Sequence, residues 1–160
     1  MTDKFSVVGT GGTFDEIHLG HLAILTKAFE MGDKVVIGVT SDEYAANEQR
    51  KSRLTHRYEK RVANLRRAIR ENFGKVTYEI SKLTTPYGPT VLTGKVKALV
   101  VSRETANVGS EINEIRARKG INALAIIIVE MIKAEDGARI SSSRIRTGEI
   151  DSMGRVLKGA

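Results

Sequence analysis

Five short apolar runs punctuate the chain, at about Lys4–Gly9, Lys34–Thr40, Lys75–Ser81, Ala98–Ser102 and Ala123–Val129. Each is rich in Val and Ile and is bounded by glycine, charge or polar clusters, the pattern of strands buried in a parallel sheet. Longer segments of helical period fill the gaps. One runs from about Gly20 to Glu30 and ends near Gly32; another runs from about Thr55, a candidate N-cap, to Asn72 and closes by Gly74. A third spans about Ser110 to Lys119, with Ile112 and Ile115 on one face and Gly120 as its stop. This alternation predicts an α/β fold, an open parallel five-stranded sheet with helices on both faces. Leu83–Gly94 contains both prolines, Pro86 and Pro89, and reads as a loop. Gly148–Ala160 is polar with no strong pattern, and its last residues are expected to fray.

A length of 160 residues with 41% hydrophobic content suits one domain over residues 1–160. No apolar run reaches membrane-spanning length and the start MTDKFSVVG has no signal-peptide core, so a soluble cytoplasmic protein is expected. The chain has no cysteine, which excludes disulfides, thiolate metal sites and thiol nucleophiles. A formal net charge of +7 implies attraction to polyanions. With 5% aromatic residues and no Trp, stacking platforms for single-stranded nucleic acid are scarce, so a small phosphorylated ligand is the better match.

The first apolar run leads into Gly9-Thr10-Gly11-Gly12-Thr13-Phe14-Asp15, and Glu16-Ile17-His18-Leu19-Gly20-His21 then opens the first helix. Glycines allow close backbone approach, and a helix start offers unpaired N–H groups to an anion. A dinucleotide fingerprint fails here because Phe14 stands where its third glycine belongs, and the Gly-Lys-Ser/Thr of a P-loop is missing after these glycines. His18 and His21, three residues apart on one helix face, can point together at a phosphate and stabilise charge that grows during transfer. A two-histidine metal site lacks a third strong ligand nearby in sequence. Near the other end, Ile140-Ser141-Ser142-Ser143-Arg144-Ile145-Arg146 combines hydroxyls, a helix start and arginines into a second cradle, suited to the β- and γ-phosphates of a nucleotide.

Gly12 to His21, GTFDEIHLGH, resembles the signature of the HxGH nucleotidyltransferase superfamily, and ISSSRIR resembles its second signature, with Ser143 in place of the usual Thr. The resemblance covers essentially the whole chain and implies a Rossmann-like sheet. It implies nucleotide contacts from Gly11, Gly12, Phe14, His18, Gly20, His21, Arg103, Ser141, Ser142, Ser143 and Arg146, with Gly20 leaving room for adenine or ribose. Arg50-Lys51-Ser52-Arg53-Leu54-Thr55 precedes Glu59-Lys60-Arg61-Val62 much as in phosphopantetheine adenylyltransferases, where a lysine stands just ahead of such a helix. Pro86-Tyr87-Gly88-Pro89-Thr90, and Val100 to Thr105 with Gly109, Asn113 and Arg116 following, look like the archaeal and eukaryotic branch of that family. The bacterial Arg-Gly-x-Arg element is reduced to Arg103, so Arg103, Arg116 and Arg146 are all candidates for the phosphate-binding arginine.

The resemblance then implies adenylyl transfer from ATP to 4′-phosphopantetheine, giving dephospho-coenzyme A and pyrophosphate. His21, Lys51 and Thr13 would be catalytic. Thr13, Asp15, Lys51, Tyr87, Gly88 and Arg116 would hold the acceptor. Magnesium would be bound mainly through the ATP phosphates, with no protein metal site. The expected partners are these small molecules, with neither nucleic acid nor membrane, in a monomer or small homo-oligomer. A flavin mononucleotide adenylyltransferase or a polyol-phosphate cytidylyltransferase would share both motifs, although the latter usually carries an Arg-Thr-x-Gly-Ile-Ser-Thr-Thr segment that Asp136-Gly137-Ala138-Arg139-Ile140-Ser141 does not match. A basic nucleic-acid-binding module without turnover is the reading from another class; it predicts a salt-sensitive affinity for DNA or RNA.

Overall fold

The computed structural model describes residues 4–48, 54–88, 93–130, 132–138, 140, 144–145 and 147–157. Five strands, β1 (Phe5–Gly12), β2 (Gly32–Thr40), β3 (Tyr78–Leu83), β4 (Ala98–Ser102) and β5 (Ala125–Val129), form one parallel sheet in the order β3-β2-β1-β4-β5. The helices are α1 (Leu19–Met31), α2 (Asp42–Glu48), α3 (Tyr58–Phe73) and α4 (Ala106–Arg118), the last preceded by a 3-10 turn over Arg103–Thr105. The sheet is Rossmann-like, as expected. Among the described residues no helix is long and apolar enough to cross a membrane.

Alternation along the strands divides the core between the two faces of the sheet. Val8, Val35, Ile37, Val39, Ala98 and Val100 pack on one face against Leu25 and Ala28 of α1 and Leu65 and Ile69 of α3. On the other face Leu99 and Val101 meet Ile112 of α4. The inward side of α4 is Gly109, Ile112 and Arg116 rather than the expected pair Ile112 and Ile115. An added Cβ on Gly109 would lie 2.6 Å from Ile126 Cδ1, so this glycine lets α4 approach the edge strand.

Several boundaries differ from those the sequence pattern implies. β1 runs on to Gly12 because Gly11 and Gly12 pair with Gly38 and Val39 of β2. β3 begins at Tyr78, three residues later than expected. Thr55 is not an N-cap: α3 starts at Tyr58 behind Arg57, and the Tyr58 N–H donates to Asp42 Oδ1 at 2.9 Å. The C-terminal segment is built in by an Ile150–Val156 bridge and by Leu19 N donating to the Ser152 carbonyl at 3.2 Å.

Candidate active site

Sheet order reverses between β1 and β4, the switch point at which open parallel sheets bind ligands at their carboxyl ends. The β1–β4 ladder covers only Val8–Ala98 and Gly9–Leu99, while β1 continues to Gly12. Beyond the ladder the Thr10 hydroxyl donates to the Val100 carbonyl at 2.9 Å and bridges the opening.

The first motif turns at this opening. Phe14 takes a left-handed φ of 54°, which a non-glycine residue adopts only when its surroundings hold it there. Its ring is buried and sits 4.9 Å, centroid to centroid, from His21. His18 is the N-cap of α1: its Nδ1 accepts from Gly20 N at 3.0 Å, and its own N–H donates to His21 Nδ1 at 3.2 Å. Both neutral rings therefore carry their proton on Nε2. They stack with centroids 3.9 Å apart. Burial, and then the neighbouring His18, hold the His21 pKa well below its usual value, so the ring is a neutral donor. Gly20 has a local role that the sequence did not reveal: a Cβ there would lie 2.8 Å from His18 Cε1 and displace the capping ring.

Asp15 is buried, and its two oxygens accept the backbone N–H groups of Thr55 and His56 at 2.9 Å each. These bonds make it the clamp between the first motif and the segment entering α3, whereas the resemblance had placed it among the acceptor contacts. Arg61 was missed as a site residue because it reads as one more cation on a basic helix. It is fully buried; Nη1 donates to the Thr13 carbonyl at 2.8 Å, Nε to the His56 carbonyl at 3.1 Å, and Nη2 pairs with Asp42 at 2.9 Å. Thr40 also escaped notice, and its hydroxyl donates to Thr13 Oγ1 at 3.2 Å.

Beside the turn lies a mainly apolar cavity of about 210 Å³. Gly9, Gly11, Gly12 and Gly38 give it a floor with almost no side chains, while Val108 and Ile112 of α4 form one wall and Thr85, Pro86 and Gly88 another. Glycine is required at position 38, since a Cβ there would meet Leu83 at 2.7 Å. Tyr87 fastens the loop wall to α4 by donating its hydroxyl to Glu111 Oε2 at 2.8 Å.

The second motif comes to the first through apolar contacts. Ile140 and Ile145, which flank its serines, share a cluster with Ile150 and with Leu19, the residue after His18. Arg144 fixes the segment by pairing with Asp136 and Glu149. Ser141, Ser142, Ser143, Arg146 and Lys51 lie outside the described residues. Arg103 stands beyond the carboxyl end of β4, exposed and paired with Glu130. Arg116 does not belong with the others. Its guanidinium donates to the Val96 and Asn122 carbonyls, at the amino ends of β4 and β5, so the opposite end of the sheet holds it and the acceptor role is withdrawn.

Comparison with known proteins agrees with this geometry. Residues 10–148 match the family described as cytidylyltransferase-like. A phosphopantetheine adenylyltransferase of Methanothermobacter thermautotrophicus is 46% identical over 158 residues, 99% of this chain and 93% of the relative. One from Methanosarcina acetivorans is 46% identical over 154 residues, 94% of this chain and 96% of the relative. A solved protein of unknown function from Archaeoglobus fulgidus superposes with a TM-score of 0.70 at 31% identity, covering 84% of this chain and 98% of that one. With a capped histidine pair at the switch point, a second motif packed beside it and relatives matched almost end to end, the chain belongs to the phosphopantetheine adenylyltransferase family of cytidylyltransferase-like proteins.

Proposed function

We propose that the chain transfers the adenylyl group of ATP to 4′-phosphopantetheine, forming dephospho-coenzyme A and pyrophosphate. The observation that carries this reading is the contiguity of a phosphate-binding turn, Thr13 to His21, with a narrow, mainly apolar cavity lined by both Gly11 and Gly12. An acceptor with a charged phosphate at one end and a slender uncharged arm matches that combination. The arm lies along the glycine floor beneath Gly88, and its phosphate reaches Thr13.

An oxygen of the acceptor phosphate attacks the α-phosphorus of ATP, a new P–O–P bond forms, and the bond from the α-phosphorus to the β-phosphate oxygen breaks as pyrophosphate leaves. A phosphate monoester has a second pKa near ~6, so its dianion is already a nucleophile at neutral pH and needs no general base. Catalysis is therefore positioning and charge stabilisation. His21, neutral and protonated on Nε2, donates towards the α-phosphate, and His18 holds that ring in place. Lys51 bridges the reacting phosphates, while Ser141, Ser142, Ser143 and Arg146 take the β- and γ-phosphates with Arg103 at the rim. Among the described residues no three His, Asp or Glu side chains cluster as a metal site, and magnesium is read as part of the nucleotide substrate. We place the reaction in the cytoplasm, where both charged substrates are retained.

Pyrophosphate release with ATP and magnesium tests the reading, comparing 4′-phosphopantetheine, flavin mononucleotide, a polyol phosphate with CTP, and no acceptor. Release with phosphopantetheine alone is the expected result. Release with another acceptor alone overturns the substrate, and silence with all of them overturns the activity.

A further inference from the structure

Leu83 ends β3 with its backbone held and its side chain lying across the neighbouring strands. Its carbonyl accepts Ser41 N at 2.8 Å, and it pairs in register with Thr40 of β2. One row nearer the amino ends on the same face, Gly11, Gly38 and Ser81 stand side by side on β1, β2 and β3. That row is a trench across three strands, and the Leu83 side chain leans into it. A Cβ on Gly38 would meet Leu83 Cγ and Cδ1 at 2.7 Å, and one on Gly11 would meet Cδ1 at 3.3 Å. From the loop wall, a Cβ on Gly88 would meet Leu83 Cδ2 at 2.9 Å. Three glycines from three separate segments thus make room for one leucine. Leu83 is nevertheless only half-buried, and it lines the cavity across the glycine floor from Val108 and Ile112 of α4.

We propose that Leu83 is a specificity-determining residue for the acceptor: its methyl groups receive the branched apolar carbon that follows the acceptor phosphate. The inference rests on the reading of 4′-phosphopantetheine as the acceptor and of Thr13 as its phosphate contact. In that compound the ester oxygen is followed by a CH2 and then by a quaternary carbon bearing two methyl groups. The Thr13 and Thr40 hydroxyls lie 3.2 Å apart, and Leu83 is the partner of Thr40 on the next strand, about 4.8 Å away. A phosphate on Thr13 therefore brings the two methyl groups within reach of Leu83. The rival acceptors match this surface less well. Flavin mononucleotide and the polyol phosphates follow their phosphate with a hydroxylated chain, and a hydroxyl laid against Leu83 loses water and gains no partner from that side chain. Pose matters as much as residue type, because a Cβ at position 38 or 88 would push Leu83 out of the trench and into the space of the arm.

The test measures, by calorimetry, the affinity of the purified protein for 4′-phosphopantetheine and for its analogue with both methyl groups replaced by hydrogen, in wild type, Leu83→Ala and Leu83→Val. Moving two methyl groups from water onto apolar surface corresponds to a wild-type preference of about tenfold for the methylated compound. Leu83→Ala is expected to reduce that preference about three- to fivefold. Leu83→Val removes a single carbon; it is expected to act in the same direction by a smaller factor and carries the test if Leu83→Ala does not fold. Any effect of the methyl groups on the free ligand is common to all variants and cancels in the comparison. A general defect of the cavity weakens both compounds together, so an unchanged ratio in the variants overturns the proposal. Equal binding of the two compounds by the wild type overturns it as well. A wild type that binds ATP but neither compound sinks the acceptor reading and the proposal with it, whereas the other two results sink the role of Leu83 alone.

Discussion

His21 is half-buried at the start of α1 and faces a second imidazole, and both effects disfavour its protonated form. In the unfolded chain the same residue takes a proton near ~6.5. Between the depressed folded value and the unfolded one the unfolded state binds more protons. The stability contributed by neutral His21 is therefore complete above the unfolded value and is lost as pH falls below it. Urea unfolding at neutral pH and at mildly acidic pH should show a slope in wild type up to about 1.4 kcal/mol per pH unit steeper than in His21→Asn. Equal slopes would mean that His21 titrates alike in both states. The positions of His18 and His21 were legible because glycine grammar and helical spacing are local. The Asp15 clamp and the buried Arg61 beneath Thr13 were not, since their partners lie 40 and 48 residues away and nothing in the sequence separates a buried arginine from a solvated one.

The elements were read best where a strand is bounded by residues that cannot continue it. The limits of β4, Ala98–Ser102, coincide with the expected run. α2 escaped because seven residues with no apolar period look like a loop; Ser41 caps it, its Oγ accepting Tyr44 N at 3.1 Å. The start of α3 was misplaced because the residues that hold its entry are distant in sequence: Asp15 takes the N–H groups of Thr55 and His56, and Asp42 takes that of Tyr58, where the helix begins. α4 shows how an element overrules a motif. Arg116 satisfies the Val96 and Asn122 carbonyls beneath its last turn, and burial lowers its pKa. Arg116→Leu should leave those carbonyls unsatisfied and lower stability by about 2–4 kcal/mol, measured by urea unfolding, with the acceptor KM unchanged. A raised acceptor KM at wild-type stability would return Arg116 to the site.

At the scale of the whole molecule, two signatures far apart in sequence meet because the C-terminal segment folds back onto the start of α1, with Ile140, Ile145 and Ile150 around Leu19. That the motifs belong together was legible from their order. The strand order was not, because it depends on crossovers that leave no mark in the residues they connect. Net charge, in contrast, is a whole-chain quantity: +7 on a protein whose proposed substrates are both anions creates a long-range attraction. The Debye length falls from about 30 Å at ~0.01 M salt to about 10 Å at ~0.1 M, so the field of distant surface cations is screened while contacts inside the site are screened much less. Over that range kcat/KM for the acceptor should fall several-fold while kcat at saturation stays nearly constant, because screening slows capture and leaves the bound phosphates in place. Steady-state rates at matched free magnesium separate the two quantities. A parallel fall in kcat would locate the charge effect in the transfer step itself, and the excess of cations would then act through groups touching the phosphates rather than through the field of the molecule.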